Sequence, residues 1–386
     1  MNIVPILFRR PFVTLYPVVT IILVGLFLGL CTGFVMHRSD YCMAGMFRDL
    51  FLFRSTAMIK TFVLFLAISL PLFELSSILG FLELPFPKYG TPSLSNLLGG
   101  LLFGIGMVMA GGCAVGTLYK MGSGSIASMV GFTGMILGSI LFAFLYPSWS
   151  LFAKELKLPT AAITLPELLG LPPALLVAPL LLLMIWLLRH WFRRKEMFRP
   201  AVVDGYLQPW KAAAILALLS VCFVLLMGLP MGVTTSNAKF GGMLVKQFAP
   251  DIYESNWFFN IQSFSYQSPL GGERLIGGPG ANLDAVALVQ FPLIIGIVAG
   301  AAISAIGLGE WKLHLRLPWP QAVSALLGGA IMGLSSRMAP SCNLWHLYGG
   351  LPILGLESIL FLSGMVAGSW IGALIMSRLI LSADGR

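Results

Sequence analysis

Charged residues are scarce in this sequence, at 10% of 386 residues, whereas soluble domains carry roughly 25%. Apolar residues make up 58%, so the chain is not built to present a fully solvated surface. Apolar stretches of about 18 residues or more recur along its length, and each is long enough to cross the hydrocarbon core of a bilayer. The sequence therefore predicts an all-α, polytopic membrane protein.

Several signatures of other protein classes are missing. The five cysteines are widely spaced and include no Cys-x-x-Cys pair, which argues against a disulfide framework and a zinc site. The net charge of +9 is scattered over short loops, with no basic run of the kind that binds nucleic acid. No nucleotide-binding signature is present. We therefore expect no metal, no cofactor and no nucleic-acid partner.

Hydropathy predicts about nine transmembrane helices, and the first is too long for a cleaved signal sequence. Shorter apolar or glycine-rich pieces that cannot span lie between them. Such pieces are typical of re-entrant half-helices buried inside a protein. The predicted spans are 14–37, 58–80, 93–111, 125–147, 173–195, 210–230, 284–308, 319–337 and 353–380, and the short pieces are 42–53, 113–121, 239–247 and 342–348.

The charge of the loops predicts an orientation. With nine spans the two termini lie on opposite faces, and the face of the C-terminus collects 15 of the 24 Lys and Arg residues. By the positive-inside rule the C-terminus is cytoplasmic and the N-terminus is periplasmic. The segment 231–283 then becomes a long external loop.

An internal repeat is the most informative feature. Residues 99–119 align without gaps with residues 328–348, and eight of the 21 positions match, including Cys113 with Cys342. The two copies belong to the third and eighth spans, so they run in opposite directions through the membrane. Inverted repeats of this kind place the site of a transporter at the interface between the halves. We predict one transport domain over 1–386, with repeats at about 14–147 and 210–380 and a connector helix at about 173–195.

Cys113 and Cys342 each follow a span that ends in small residues or proline, and each opens a short helical piece. The N-terminus of a helix inside a protein presents unpaired N–H groups and partial positive charge, which favour an anion. A thiol adds a soft, weakly donating group, which suits an anion whose charge lies partly on sulfur. Cys42 has a similar setting of glycine and polar neighbours. Cys31 and Cys222 lie within apolar spans, where we expect them to pack as small hydrophobic residues.

Polar and charged residues near these cysteines are further candidates for the pathway. The cations would attract an anion, two on the cytoplasmic side and Lys239 on the external side, although an interfacial, snorkelling charge is the more common reason for such a residue. The asparagine and the histidine follow Cys342 and could donate hydrogen bonds, or the histidine could be a satisfied residue of the bundle. These candidates are Arg48, Lys120, Lys239, Asn343 and His346.

Three segments resemble the motifs of the YeeE/YedE family of bacterial membrane proteins. They are SDYCMAGMFRDLF at 39–51, GGLLFGIGMVMAGGCAVGTLYKMGSG at 99–124 and GLSSRMAPSCNLWHLYGGLP at 333–352. The resemblance implies an hourglass of spans and re-entrant helices in the inner membrane. It also implies uptake of thiosulfate relayed by three cysteines, which correspond to Cys42, Cys113 and Cys342 here. Some members of the family are linked to a small soluble sulfur-carrier protein, and other branches to selenium metabolism.

Thiosulfate uptake by a protein that is not an enzyme is therefore the function that the sequence predicts. One alternative keeps transport but changes the cargo to another small sulfur or selenium species. A second alternative is a membrane sulfurtransferase or thiol redox enzyme. That reading needs a reactive thiolate with a nearby base or a resolving cysteine.

Overall fold

The structure is a computed structural model that describes residues 10–82, 84–85, 89–198, 205–262, 264–270, 274–313 and 315–379. It confirms an all-α polytopic membrane protein. Position 380, the predicted end of the second repeat, lies outside the described residues. The helices are α1 (Arg10–Ser39), α2 (Met43–Phe53), α3 (Ala57–Ile78), α4 (Leu94–Met109), α5 (Ala114–Gly122), α6 (Ile126–Glu155), α7 (Leu165–Leu169), α8 (Pro173–Arg193), α9 (Pro209–Met227), α10 (Thr235–Phe248), α11 (Pro250–Ser255), α12 (Trp257–Asn260), α13 (Ala285–Gly307), α14 (Trp319–Met338), a π-helix (Trp345–Gly350) and α15 (Leu356–Leu379).

Eight helical stretches among the described residues are long and apolar enough to cross a membrane. Most helices lie within a few residues of the predicted spans, but α6 continues past 147 to Glu155. Pro147 lies inside α6 without ending it. The remaining predicted span forms α14, which has 20 residues but is not among the eight. Serine residues, a glutamine and Arg337 lower the hydropathy of α14.

The four short pieces all form short helical segments, as the sequence predicts. Two of them, α2 and α5, follow Cys42 and Cys113 directly. The third is α10, and the fourth contains the π-helix that follows Cys342. The long segment 231–283 carries α10, α11 and α12, and then an antiparallel hairpin of β1 (Phe264–Tyr266) and β2 (Leu275–Gly277).

Helices of the first half pack mainly on helices of the second half. Helix α1 packs on α13, and α3 packs on α9. Helix α4 packs on α15, α6 packs on α14, and α4 and α14 pack on each other. The predicted repeat makes α1 equivalent to α9, α3 to α13, α4 to α14 and α6 to α15. The α1–α13 contact then corresponds to α9–α3, the α4–α15 contact corresponds to α14–α6, and the α4–α14 contact corresponds to itself. This pattern supports a two-fold relation between the halves.

The α4–α14 contact depends on matched small residues. A methyl group added at Gly99 would lie 2.5 Å from the Cβ of Ala339. A methyl group added at Gly328 would lie 2.5 Å from the backbone nitrogen of Ala110. Gly99 aligns with Gly328, and Ala110 with Ala339, so the two contacts are copies of one another. Small residues allow such close approach of helix backbones within a membrane.

We predict that Gly333→Ala destabilises the protein. An added methyl group would lie 2.1 Å from the backbone oxygen of Met135 on α6, and neither backbone can move without shifting a helix. Overpacking of this kind typically costs about 1–3 kcal/mol. The melting temperature of the purified protein in detergent should fall. Gly307→Ala is the control, because nothing lies within 4 Å of its added methyl group. Equal melting temperatures for the two variants would contradict the prediction.

Candidate functional site

Two of the predicted cysteines lie at the start of short helices. Cys42 has an extended backbone conformation and occupies the N-cap of α2. Cys113 is the N-cap of α5, and its sulfur accepts a hydrogen bond from the backbone N–H of Gly116 at 3.3 Å. Both side chains are buried. Cys113 begins a new helix because the two glycines before it, Gly111 and Gly112, interrupt the chain after α4. Gly111 adopts a left-handed conformation with φ of 69°.

The two thiols converge over the backbone of Gly116. A methyl group added at Gly116 would lie 2.9 Å from the Cys42 sulfur and 3.3 Å from the Cys113 sulfur. The thiols are close enough to hydrogen-bond with each other. Glycine at 116 therefore lets both sulfurs pack against the backbone at a place where any side chain would press on them.

The second half of the chain contributes Asn343 to this cluster. Its side chain lies within hydrogen-bonding distance of the Cys113 sulfur. Among the described residues its Oδ1 has no hydrogen-bond partner, and the same holds for the buried hydroxyl of Tyr348. The ring of Tyr348 packs on Phe65, with centroids 4.4 Å apart. A buried polar group without a partner typically costs about 1–3 kcal/mol, so these atoms mark a place suited to a polar ligand.

Cys342 is the residue directly before Asn343, and its side chain is completely buried. Ser341 before it has a φ of 112°, which is a strained conformation for a residue other than glycine. The carbonyl of Cys342 accepts a hydrogen bond from the N–H of His346 at 3.1 Å, so it caps the helical turn that leads into the π-helix. The structure thus brings Cys42, Cys113 and Asn343 together. Cys342 is the residue before Asn343 in the chain, and among the described residues its sulfur makes no contact with the other two thiols.

His346 belongs to the π-helix, and its side chain packs against α15. Its ring stacks on Phe361 with centroids 4.3 Å apart, and its Nδ1 lies 3.1 Å from the hydroxyl of Ser358. The side chain is fully buried, and Nε2 has no hydrogen-bond partner in the described part of the chain. The packing of His346 is that of a residue fixed within the bundle.

The two cations predicted for the cytoplasmic side differ in their settings. Lys120 donates a hydrogen bond from Nζ to the carbonyl of Gly111 at 2.9 Å, and its charge acts on the Cys42 thiol. Arg48 is one-third exposed and pairs with its neighbour Asp49 at 2.8 Å. Lys120 is therefore the cation that stands beside the cysteine cluster.

Lys239, the cation predicted for the external side, is completely buried. Its Nζ lies 2.8 Å from the Oδ2 of Asp284 and donates hydrogen bonds to the carbonyls of Gly280 and Asn282 at 2.9 and 2.7 Å. Asp284 in turn caps α13 by accepting from Val286. The charge of Lys239 is already compensated, and its contacts tie the segment 280–284 to α10.

Arg337 was missed by the prediction of site residues, although it lies in one of the quoted motifs. It lies in the last turn of α14, and its guanidinium donates hydrogen bonds to the hydroxyls of Thr234 and Thr235. It also lies near Cys342. The available signal was an arginine within a predicted span, because an ionisable residue inside a membrane marks a candidate functional site.

Comparison with known proteins gives the family. A family model for sulphur transport matches residues 38–371, which include all three of these cysteines. The chain belongs to this family. The match confirms the resemblance found in the motifs around Cys42, Cys113 and Cys342.

Proteins similar to this chain include two that are named thiosulfate transporter TsuA. The protein of Spirochaeta thermophila is 29% identical over 372 residues, which cover 92% of this chain and 98% of that protein. The protein of Escherichia coli is 32% identical over 192 residues, covering 49% of this chain and 52% of that protein. The probable transporter YedE of Escherichia coli is 31% identical over 175 residues, covering 45% of this chain and 41% of that protein.

We predict that Lys239→Met destabilises the fold because it leaves Asp284 and two carbonyls without their buried partner. Removal of one member of a buried ion pair typically costs about 3–5 kcal/mol. The melting temperature in detergent should fall well below that of the wild type. The matched control is Lys246→Met, on the exposed side of the same helix. Adding Asp284→Asn to Lys239→Met should recover part of the loss, and an unchanged melting temperature in the single variant would exclude a structural role for Lys239.

Proposed function

We propose that this protein takes up thiosulfate across the bacterial inner membrane along a central pathway lined by Cys42, Cys113 and Cys342. Three findings support the proposal. The chain belongs to the sulphur transport family. A relative that aligns over nearly its whole length carries the name thiosulfate transporter. The convergence of two buried thiols with Asn343, from opposite halves of the chain, is the observation that carries it.

The cluster offers weak donors to a partly dehydrated anion. The thiols of Cys42 and Cys113 and the amide of Asn343 can each donate a hydrogen bond, and so can the hydroxyl of Tyr348. The Oδ1 of Asn343 only accepts hydrogen bonds, so the amide would contact the anion through its NH₂ group. Sulfur is polarizable, and its contacts suit the terminal sulfur of thiosulfate better than the harder oxygens. Weak contacts let the ion leave each position as readily as it enters.

The two halves meet at this cluster. In the proposed inverted repeat, Cys113 begins a helical piece directed towards one face, and Cys342 begins one directed towards the other. Each helix N-terminus adds partial positive charge to the centre of the membrane. An anion would then pass from one helix N-terminus to the other, with Asn343 bridging the two.

The Cys113→Ala variant should lose thiosulfate uptake while remaining folded, because the methyl group cannot donate a hydrogen bond to the anion. Uptake of labelled thiosulfate is measured in cells whose other uptake routes are deleted and whose only sulfur source is thiosulfate. We expect at least a tenfold fall, on the order of one lost hydrogen bond of about 1.4 kcal/mol in the transfer step. Cys113→Ser should retain part of the rate if hydrogen bonding is enough, and almost none if soft contacts are required.

Cys222→Ala is the matched control, since Cys222 is an exposed cysteine in α9. It should take up thiosulfate at the wild-type rate. All variants are compared at equal amounts in the membrane, measured by blotting. Thiosulfate uptake at the wild-type rate by the Cys113→Ala variant would contradict the proposed pathway. Absence of uptake by the wild type, with uptake of selenite or sulfite instead, would change the cargo and keep the transport class.

The adjacency of the Cys42 and Cys113 thiols also favours a second candidate, a membrane sulfurtransferase or thiol redox enzyme. In such an enzyme one thiolate attacks the terminal sulfur of thiosulfate, which forms a persulfide and releases sulfite. The second thiolate then attacks the inner sulfur of the persulfide, which forms the disulfide and releases sulfide. Intact-protein mass spectrometry after turnover with thiosulfate separates the candidates. Transport alone leaves both thiols unmodified, whereas a persulfide or a Cys42–Cys113 disulfide would identify group transfer. The same purified protein, carrying an affinity tag, would capture a small cytoplasmic sulfur-carrier protein if the family's association holds here.

We propose that the C-terminus is cytoplasmic and the N-terminus periplasmic, from the loop charges. Alkaline phosphatase folds only in the periplasm, so its fusion to the C-terminus should be inactive, and a fusion after residue 270, in the external loop, should be active. A green fluorescent protein at the C-terminus should fluoresce. The reverse pattern would invert the direction assigned to every step of the pathway.

A further inference from the structure

A cavity of about 360 Å³ lies beneath the long segment 231–283. Residues of that segment, including Phe258 and Phe264, line one side. The opposite side contains Arg337 and Ser341, which stand before Cys342 in the chain, together with Trp345 behind it. The cavity is therefore lined both by residues of this segment and by Ser341, the residue before Cys342.

Arg337 brings an uncompensated positive charge to this cavity. Among the described residues no carboxylate lies within ion-pair distance of its guanidinium, whereas Lys239, on the same side, is paired with Asp284. Its neighbours with polar groups are Thr234 and Thr235, whose hydroxyls accept from Nη2 and Nη1 at 2.9 and 3.1 Å. Nε is buried without a partner. The Arg337 side chain is half-buried. A charge that is largely withdrawn from water without a counter-charge is costly unless an anion supplies one.

The hydrogen-bond inventory fits an oxyanion. Guanidinium has five N–H donors, and the threonines use two, so three remain. Gln290 also lines the cavity, and its Oε1 accepts from the N–H and the hydroxyl of Ser236, which leaves its NH₂ group as a donor. That NH₂ group and the hydroxyl of Ser341 both lie beside Gly232, at 3.5 and 3.6 Å from the position of an added methyl group. Donors therefore outnumber acceptors in this part of the cavity.

We propose that Arg337, with Gln290 and Ser341, forms an entry site that binds the oxygen atoms of the incoming anion and presents its terminal sulfur to Cys342. A planar guanidinium binds two oxygens of an oxyanion at once. Thiosulfate carries three oxygens at one end and a soft sulfur at the other, so anchoring the oxygens directs the sulfur towards the thiol. The identity of the anion as thiosulfate rests on the proposed function. The presence of an anion site at Arg337 rests only on the residues that line the cavity.

If this entry site exists, an anion can bind at Arg337 without being transported past the cysteines. Sulfate presents the same oxygens as thiosulfate but has no terminal sulfur, so it should bind at Arg337 and not proceed along the thiols. Sulfate should therefore compete with thiosulfate for entry without being taken up. An arginine that acts only on stability would give no such competition.

The test uses binding in a protein that cannot transport. The Cys113→Ala protein is purified in detergent, and its melting temperature is measured in sodium thiosulfate, sodium sulfate and sodium chloride at equal ionic strength. Thiosulfate and sulfate should each raise the melting temperature above its value in chloride. Introducing Arg337→Gln into this protein should abolish both increases. Introducing Arg274→Gln, which removes an exposed arginine of the external segment, should leave them unchanged.

Increases that persist in Arg337→Gln would overturn the proposal, as would their absence in the Cys113→Ala protein itself. Arg337→Lys covers the case in which the glutamine variant does not fold, because it keeps the charge and loses the planar fork. Its increases should be smaller than those with arginine, and increases of full size would also overturn the proposal. Wild-type protein could fail to take up thiosulfate while the Arg337-dependent increases in melting temperature remain. That result would support the anion site at Arg337 and would exclude thiosulfate as the transported ion.

In uptake assays on an otherwise wild-type chain, Arg337→Gln should raise the thiosulfate concentration needed for half-maximal uptake by at least about tenfold, on the order of one charge-assisted contact. The maximal rate should change much less, because the thiols are intact. Sulfate should raise the half-maximal concentration in wild type and have no such effect in Arg337→Gln. A fall in maximal rate alone would place Arg337 outside the entry step.

Discussion

Backbone groups inside a membrane must find their hydrogen bonds within the protein, and two interruptions of this chain's helices carry the aligned cysteines Cys113 and Cys342. One interruption lies between α4 and α5 at residues 110–113, and the other follows α14 at residues 339–342. Irregular backbone at such depth is tolerated only where protein surrounds it. The close packing of α4 on α14 and α15, and of α6 on α14, provides those surroundings.

The interruptions place thiols and the N-termini of short helices at the candidate site. Each exposes the N-terminus of a short helical piece, and each carries a cysteine at that position. The thiols of Cys42 and Cys113 converge on the backbone of Gly116, where any side chain would press on both sulfurs. Asn343 reaches the Cys113 thiol from the other half, so neither half alone forms the candidate site. A change in the packing of the halves would therefore alter the pathway even if no lining residue were replaced.

The charged residues divide into two kinds. Lys239 is neutralised by Asp284 and holds the external segment in place, whereas Arg337 has no carboxylate partner within the described ranges and faces a cavity. Lys120 stands beside the cysteines on the other side. An anion would meet a strong, oxygen-binding cation first and weak, sulfur-binding thiols afterwards. This order allows selectivity at entry without trapping the ion in the membrane.

Much of this arrangement could be predicted from the sequence because membranes impose simple rules. Hydropathy locates the long helices, and the gapless match of 99–119 with 328–348 identifies the two cysteine turns and the small residues at 99 and 328. Contacts between residues distant in the chain could not be predicted in this way. The meeting of Cys42 with Gly116, the pairing of Lys239 with Asp284, and the position of Arg337 against Thr234 all depend on how helices pack. No periodic pattern encodes those contacts.

The most direct test of the account is to locate the ion. Thiosulfate added to the purified protein should appear, in a cryo-electron microscopy map at a resolution that separates side chains, as a peak between the sulfurs of Cys42 and Cys113 and the amide of Asn343. The peak should be absent from a map recorded in chloride and from a map of the Cys113→Ala protein with thiosulfate. A thiosulfate peak that lies away from all three cysteines, or one that persists at the same place in Cys113→Ala, would contradict a pathway built on these thiols.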